Sequence, residues 1–371
     1  MTEEIYVNLS ANIKKNMTPK FHSLLVKDVI KETEDTVSVS FEVPDSLKDD
    51  YQFLSGQYLT LKAILDEEDT RRSYSLCSAP HENEWRVAIK QVENGKFSTF
   101  ANTQLKKGDT LDVMTPTGSF KLTPSNSSKS YVLFAAGSGI TPILSIAKTA
   151  LTQEPNCNVT LFYGNKGFNS IIFREQVEAL KNKFMSNLRV IHVLSRESLG
   201  TPLLKGRIDA TKTEHLFDAF LRDTSIDDVY ICGPEQMILG VKEGLKSKEI
   251  PDEKVHFELF TSPSTGGAPI KPVYDGPKVE SNVQIILDGD TIDLNLDSDG
   301  ENILDAAQKS GADLPFACKG GVCCTCKAKI MEGSASMDVN FALEEDEVSA
   351  GYILTCQAHP TSDKLIVSFD D

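Results

Sequence analysis

Four cysteines fall within nine residues, in FACKGGVCCTCKAKI (316–330), and a fifth, Cys356, stands thirty positions beyond the last of them. So dense a set in one loop constrains the fold around it more than any other feature of the chain. The chain opens on polar MTEEIYVNLSANIKK, without an apolar leader, and carries no run long enough to cross a membrane. The expectation is a cytoplasmic protein, and in a reducing compartment eight cysteines point to metal binding or redox chemistry rather than a disulfide frame. Cys318, Cys323, Cys326 and Cys356 read C-x4-C-x2-C, then 29 residues, then C. That is a spacing of [2Fe–2S] ligands, in which soft thiolates meet iron and sulfide. Lys319-Gly320-Gly321 lets backbone approach such a cluster with N–H groups free to bond to sulfur. Structural zinc usually takes two tight Cys knuckles, and only one is present here, so iron–sulfur is the better fit and zinc the remaining alternative. Cys324 is then the surplus thiol, because its neighbours fill the two inner ligand positions.

The rest of the 371 residues suits two or three domains. Residues 20–124 hold short alternating segments such as TVSVSFEV, YLTLKAIL and WRVAIKQV, punctuated by turn residues, which argues for an antiparallel barrel or sandwich. From Ser130 the pattern changes. Apolar strands (YVLFAA, NVTLFYG, LRVIHVLS, DVYIC, VHFELF) alternate with helical stretches near 140–152, 171–183, 211–222 and 234–248, the signature of a parallel α/β sheet over 125–262. A Pro/Gly/Ser-rich segment without apolar period follows and reads as a linker over 263–279. Residues 280–371 then open with two strands around DGD, continue with a helix in ENILDAAQKSG, and carry the cysteines; residues 1–19 form an N-terminal tail.

Charge is uneven. The chain has a net charge of −16, which disfavours a nucleic-acid partner. Residues 280–371 hold 18 acidic and 5 basic side chains, so most of the excess sits there. It is either a solvated acidic surface or a docking face for a basic protein partner. Glu253 and His256 spell a single E-x-x-H, too little for a di-iron helix pair.

Two further segments carry chemistry. FAAGSGITPILS places Gly137, Gly139, Thr141 and Pro142 between a strand and a helix. The glycines allow a pyrophosphate close to the backbone, and Pro142 suits a first helical turn, where no N–H is needed. The next strand ends in LFYGNKG, with no acidic residue to hold the ribose of NAD. RRSYSLCSAP contains Arg72-Ser73-Tyr74-Ser75, followed some twenty residues later by NGKFST.

These last two segments resemble the flavin signature of the ferredoxin–NADP⁺ reductase family. The resemblance implies that Arg72 pairs with flavin phosphate, Tyr74 packs on the isoalloxazine and Ser75 bonds toward flavin N5. It makes Gly95 and Ser98 the second phosphate contact, at a helix start. In the same family Ser195-Arg196, with Arg207 and Lys205 nearby, corresponds to the 2′-phosphate site of NADPH, with NADH as the alternative. Cys232-Gly233-Pro234 corresponds to the C-G-P motif beside the nicotinamide. Glu258 and Phe260 take the places of the Glu-x-aromatic at the end of plant-type reductases, although here the chain continues and Phe stands where Tyr is usual. Ser75, Cys232 and Glu258 are thus the expected catalytic group. Residues 280–371 resemble a plant-type ferredoxin, a β-grasp domain of α+β type, in which Cys318, Cys323, Cys326 and Cys356 are the ligands.

The order flavin barrel, nicotinamide domain, ferredoxin resembles the one-chain reductase components of bacterial multicomponent oxygenases, the reductases of phenylacetyl-CoA epoxidases among them. Membership implies NADPH, FAD and a [2Fe–2S] cluster, electrons passed on one at a time, and di-iron oxygenase subunits as the partner. The residues alone leave FMN open as the flavin. They also leave open a reductase of another oxygenase, a reductase that feeds a general electron-carrier system, or a redox sensor without turnover.

Overall fold

The computed structural model describes residues 20–260 and 276–371, so the N-terminal tail over 1–19 and most of the linker over 263–279 lie outside the described residues. By their contacts, His22–Phe260 form one compact unit, and the described residues from Gly276 to Asp371 belong to a second.

The larger unit begins with six strands: β1 (Phe21–Thr33), β2 (Thr36–Glu42), β3 (Tyr58–Leu65), β4 (Glu68–Ser75), β5 (Trp85–Lys90) and β6 (Thr110–Met114). They form one sheet in the order β4-β3-β6-β1-β2-β5. The two edges meet where Leu76 bridges Val87 and the Cys77 N–H donates to the Arg86 carbonyl at 2.8 Å, so the sheet closes into a barrel rather than a sandwich. Alternation fills it: Val37, Val39 and Phe41 point inward with Leu59, Leu61 and Val87. The intervening Ser38 and Ser40 are buried too, because the Arg86 guanidinium lies over them and donates to both hydroxyls, at 3.0 and 3.2 Å. A short helix, α1 (Lys96–Thr103), packs Phe97 and Ala101 into the same core.

The same unit continues into a parallel sheet of β7 (Ser130–Ala136), β8 (Asn158–Asn165), β9 (Leu188–Leu194), β10 (Asp228–Cys232) and β11 (Val255–Glu258). The order is β11-β10-β7-β8-β9. The chain moves outward from β7 in one direction and then returns to its other side, so the carboxyl ends of β7 and β10 frame a switch-point crevice, the place where open α/β sheets take ligands. Helices α2 (Ile140–Gln153), α3 (Arg174–Lys183), α4 (Ala210–Phe220) and α5 (Glu235–Ser247) make the connections. Three of them lie within a residue or two of the expected bounds. The other, α3, starts later than 171, because Phe173 adopts φ +57° and Ile171, Ile172 and Phe173 enter the core as irregular chain. Barrel and sheet share a core: Cys77, Ala88, Phe120 and Leu122 pack with Tyr131, Ile143 and Tyr230. Ser145 donates to the Ser78 carbonyl across the boundary at 2.6 Å.

The smaller unit holds β12 (Glu280–Leu287), β13 (Asp290–Asp297), α6 (Ile303–Lys309), β14 (Lys327–Glu332), β15 (Ala335–Met337), α7 (Glu345–Ser349), β16 (Tyr352–Leu354), β17 (Ala358–Pro360) and β18 (Lys364–Ser368). β12 and β13 form the expected hairpin, turned by Asp288 and Gly289 at φ +52° and +81°, the left-handed pair that a two-residue hairpin needs. The five-stranded sheet runs β13-β12-β18-β14-β16. Its central pair, β12 and β18, is parallel, and its other pairs are antiparallel. This is the β-grasp arrangement, with Ile303, Leu304 and Ala307 of α6 packed in one core with Val283, Ile285, Leu365 and Val367. No described helix of either unit is long and apolar enough to cross a membrane.

Candidate functional site

The flavin-signature residues stand at the end of β4. Its two adjacent arginines have different roles. Arg71 is buried and paired with Asp69 at 2.8 Å. Arg72 is exposed, donates to the Arg71 carbonyl at 2.7 Å, and has no carboxylate partner among the described residues. It is the cation left available for a phosphate. Tyr74 leans toward Phe97, with ring centroids 5.8 Å apart. Protein surrounds its hydroxyl closely enough to push its pKa up, yet the residue keeps accessible surface, as at a cleft wall.

Ser75 donates to the Glu258 carboxylate at 3.0 Å. Cys232 pairs with Glu258 in the β10–β11 register. Residues separated by more than 150 positions thus meet at the switch point. Burial pushes the Glu258 carboxyl up to about 8, only partly opposed by the Ser75 bond. Like Tyr74 it retains some accessible surface. The Cys232 thiol is fully enclosed, and burial, reinforced by the neighbouring Glu258, raises its pKa well above the ordinary value. It is a neutral thiol, not a nucleophile.

Gly95 caps α1. A Cβ there would strike Ser98 Oγ and Val92 Cγ2. The Ser98 hydroxyl accepts from the Val92 N–H and donates to the Gly95 carbonyl, both at 3.2 Å, so it secures the turn. The first-turn N–H groups have no partner within the helix and are what remains for an anion.

In the β7–α2 turn the two glycines differ. Gly137 has φ +54° and open space where a side chain would be, while a Cβ on Gly139 would collide with the Cys232 carbonyl and lie 2.8 Å from the Gly233 nitrogen. Gly139 therefore permits the close approach of the two strand ends. Thr141 donates to the Ser138 carbonyl at 3.0 Å, and Pro142 lies in the first turn of α2. A Cβ on Gly233 would meet Met237 and Ala136, and Pro234 caps α5.

At the far edge, Ser195 and Arg196 follow β9, and their N–H groups donate to the Asn165 and Lys166 carbonyls at 2.9 and 2.8 Å. Gly206 donates to the Leu194 carbonyl at 3.0 Å, which brings Lys205 and Arg207 to the same edge. Lys166, Arg196, Lys205 and Arg207 are exposed, and none forms an ion pair among the described residues. Phe260 is 38% exposed, with no ring partner among the described residues. Sequence reasoning passed over Lys166. It also missed Tyr163, whose hydroxyl reaches the carbonyls of Gly137 at 3.3 Å and Ile172 at 3.1 Å beneath the glycine turn. Its apolar strand context disguised that polar contact.

In the smaller unit the cysteine sulfurs meet in pairs. The Cys323 thiol donates to Cys318 Sγ at 3.1 Å, and the Cys326 thiol forms a hydrogen bond with Cys356. The Cys318 thiol is held below its usual pKa by the Cys323 thiol and by the N–H groups of Gly320, Val322 and Cys323. Cys356 is lowered by Cys326, by the Gln357 side chain and by the Gly321 N–H. Among the described residues no three His, Cys, Asp or Glu side chains converge as a single ion requires. The two close pairs of cysteine sulfurs, ringed by N–H donors, are a donor set that would suit a [2Fe–2S] cluster. Cys324 turns the other way, its thiol donating to the Ala342 carbonyl at 3.3 Å. Lys319, at φ +51°, anchors the loop to α6 through Asp305 at 2.8 Å and Gln308 at 2.6 Å.

Three family models match the chain in this order: an oxidoreductase FAD-binding domain over 23–122, an oxidoreductase NAD-binding domain over 133–243 and a 2Fe-2S iron-sulfur cluster binding domain over 285–361. The chain is 42% identical over 352 residues to a component of the 1,2-phenylacetyl-CoA epoxidase of Escherichia coli strain K12, covering 94% of this chain and 98% of that one. It is 33% identical over 352 residues to the ferredoxin reductase component of the 3-ketosteroid-9-alpha-monooxygenase of Rhodococcus rhodochrous, covering 93% and 96%. The solved structure of phthalate dioxygenase reductase superposes with a TM-score of 0.56 over 94% of this chain and 98% of that chain, and at 22% identity shares the fold. The chain belongs to the family of flavin- and nicotinamide-binding reductase components of oxygenases that carry a C-terminal [2Fe–2S] ferredoxin domain.

Proposed function

We propose that this reductase draws electrons from NADPH and delivers them singly to the di-iron oxygenase subunits of a phenylacetyl-CoA epoxidase, in the cytoplasm. The observation that carries the reading is the 42% identity to the E. coli epoxidase component, sustained over all three cofactor domains. When bound, FAD supplies the conversion from a hydride pair to single electrons, and the [2Fe–2S] cluster supplies the one-electron exit.

The chain's own residues bind, orient and exclude water. Arg72 and the first turn of α1, from Gly95 to Ser98, hold the flavin phosphates, and Tyr74 forms a wall of the cleft. Gly137, Thr141 and Pro142 present the start of α2 to the pyrophosphate of the nicotinamide cofactor. Gly139 and Gly233 let the strand ends close, and Pro234 starts α5 beside them. Ser75 and Glu258 hold a proton between Oγ and Oε2. The neutral Cys232 thiol fills the space beside them without adding charge. Phe260 lies at the exposed rim, two residues beyond Glu258. Cys318, Cys323, Cys326 and Cys356 hold the cluster.

Ser195 with Arg196, Arg207, Lys205 and Lys166 supports a preference for the 2′-phosphate of NADPH over NADH. Arg196→Glu is expected to raise the KM for NADPH at least tenfold and to move that for NADH far less. Equal effects on the two cofactors would remove the 2′-phosphate site. The oxygenase assignment is tested by adding the purified epoxidase subunits and phenylacetyl-CoA. NADPH oxidation coupled to epoxide formation is expected, and coupling only to a different oxygenase sinks the assignment.

A further inference from the structure

Gln357 follows the fourth cysteine ligand directly and is buried, at 8% exposure. Its amide nitrogen has three acceptors in reach: the Cys356 carbonyl at 2.9 Å, the Lys319 carbonyl at 3.1 Å and Cys356 Sγ at 3.6 Å. These acceptors fix the amide's orientation, since turning it over would aim its oxygen at two carbonyls and a sulfur. The stem is fixed too. A Cβ on Gly321 would lie 3.3 Å from Gln357 Cγ, so the glycine at φ +72° leaves room for the glutamine beneath the loop. Lys319 belongs to the loop of the first three ligands, and Cys356 is the fourth ligand; Gln357 itself stands 38 positions beyond Lys319 in the chain. One side chain therefore spans the two ligand segments and holds its amide nitrogen within reach of a ligand sulfur, which can share the N–H directed at the Cys356 carbonyl.

We propose that Gln357 is a positioning residue that locks the two ligand segments together and raises the reduction potential of the cluster by donating to Cys356 sulfur. One-electron reduction adds negative charge to the cluster and its thiolates. A donor on a ligand sulfur therefore stabilises the reduced state more than the oxidised one, and hydrogen bonds to sulfur are among the levers that set such potentials. The backbone donors around Cys318 and Cys356 would persist in any variant, whereas the glutamine amide is the contribution a single substitution removes. The inference rests on the cluster and is independent of which oxygenase receives the electrons.

Gln357→Met keeps the length and flexibility of the side chain and removes the donor. In the full chain, assembled anaerobically, it is expected to retain wild-type iron and sulfide content. The one-electron equilibrium is expected to move about tenfold against reduction, or about 59 mV downward, in an EPR-monitored redox titration. Full cluster loading with an unchanged potential overturns the proposal. A second measurement uses the wild-type chain labelled with ¹⁵N in its glutamine amides, so it does not depend on the variant folding. Pulsed EPR of the reduced cluster is expected to show a ¹⁵N coupling, because Gln357 is the glutamine whose amide meets a cysteine sulfur among the described residues. No such coupling also overturns it. A wild-type chain that assembles no cluster would instead sink the iron–sulfur reading itself.

Discussion

Glu258 is the residue whose environment departs furthest from what its sequence position suggests. The motif singles this acid out but says nothing of its protonation, and burial lifts its pKa from 4.5 to about 8. The folded state therefore holds a proton between those values that the unfolded state releases. Stability contributed at this site is highest at low pH and falls as pH rises from about 4.5 to about 8. Glu258→Gln removes the titration. Wild type and variant are expected to diverge steadily over that window, with wild type losing on the order of 3 kcal/mol relative to the variant. That is less than the full shift implies, because the carboxyl keeps some access to water. Urea denaturation midpoints at pH 5, 6, 7 and 8 measure the difference; a constant offset would mean the carboxyl is not raised. Legibility at this scale is divided. The motif singles out Arg72 but gives no reason why Arg71 is unavailable, since the Asp69 pairing shows only in the fold. Cys324 is recognisable as surplus from the count alone. Gln357 is not, because its contact with Lys319 spans the gap between two motifs and leaves no periodic trace.

At the scale of elements, the change of period from strand alternation to strand–helix alternation locates barrel and parallel sheet, since each period expresses which face is buried. Barrel closure is not legible. It depends on Leu76 reaching Val87 across the sheet edges, and pattern alone fits a sandwich as well. The start of α3 is misplaced by pattern because Ile171-Ile172-Phe173 is apolar enough to continue a helix, while its burial as irregular chain is a tertiary outcome. The glycine turn is legible as a motif, but the different surroundings of its two glycines are not. Gly137 faces open space as a ligand-facing glycine should, whereas Gly139 is required by the backbone of Cys232 and Gly233. Gly139→Ala is therefore expected to push the ends of β7 and β10 apart, costing about 1–3 kcal/mol of stability. The KM for NADPH should rise, because the turn moves with the strand end. Gly137→Ala, strained by its positive φ yet unobstructed, should cost the left-handed penalty alone, about 1 kcal/mol or slightly more. Denaturant midpoints and steady-state KM values on both variants check the order, and a smaller stability loss at 139 than at 137 would contradict the packing argument.

At the scale of the whole molecule, the chain divides the work between two compact units, each with its own core. The larger holds both the flavin-signature residues and the nicotinamide motifs, and these meet inside it: Ser75 from the barrel touches Glu258 from the parallel sheet. The smaller holds the four cysteines proposed as cluster ligands, and Cys326 and Cys356 belong to its core. A change confined to the cluster should therefore interrupt the electron path after the flavin and leave the earlier part intact. Cys326→Ser removes a ligand that is 1% exposed and packed within that second core. Its visible [2Fe–2S] absorbance and its NADPH-dependent cytochrome c reduction are expected to fall to a few per cent of wild type or less. NADPH-dependent ferricyanide reduction, which draws on the flavin, should stay within about twofold, with flavin content unchanged. Comparing the two acceptors on one preparation separates loss of the exit from loss of the entrance. If ferricyanide reduction disappeared together with cytochrome c reduction while the flavin remained bound, the two units would not be separable in function. The barrel and sheet would then need the cluster-bearing unit to accept hydride at all.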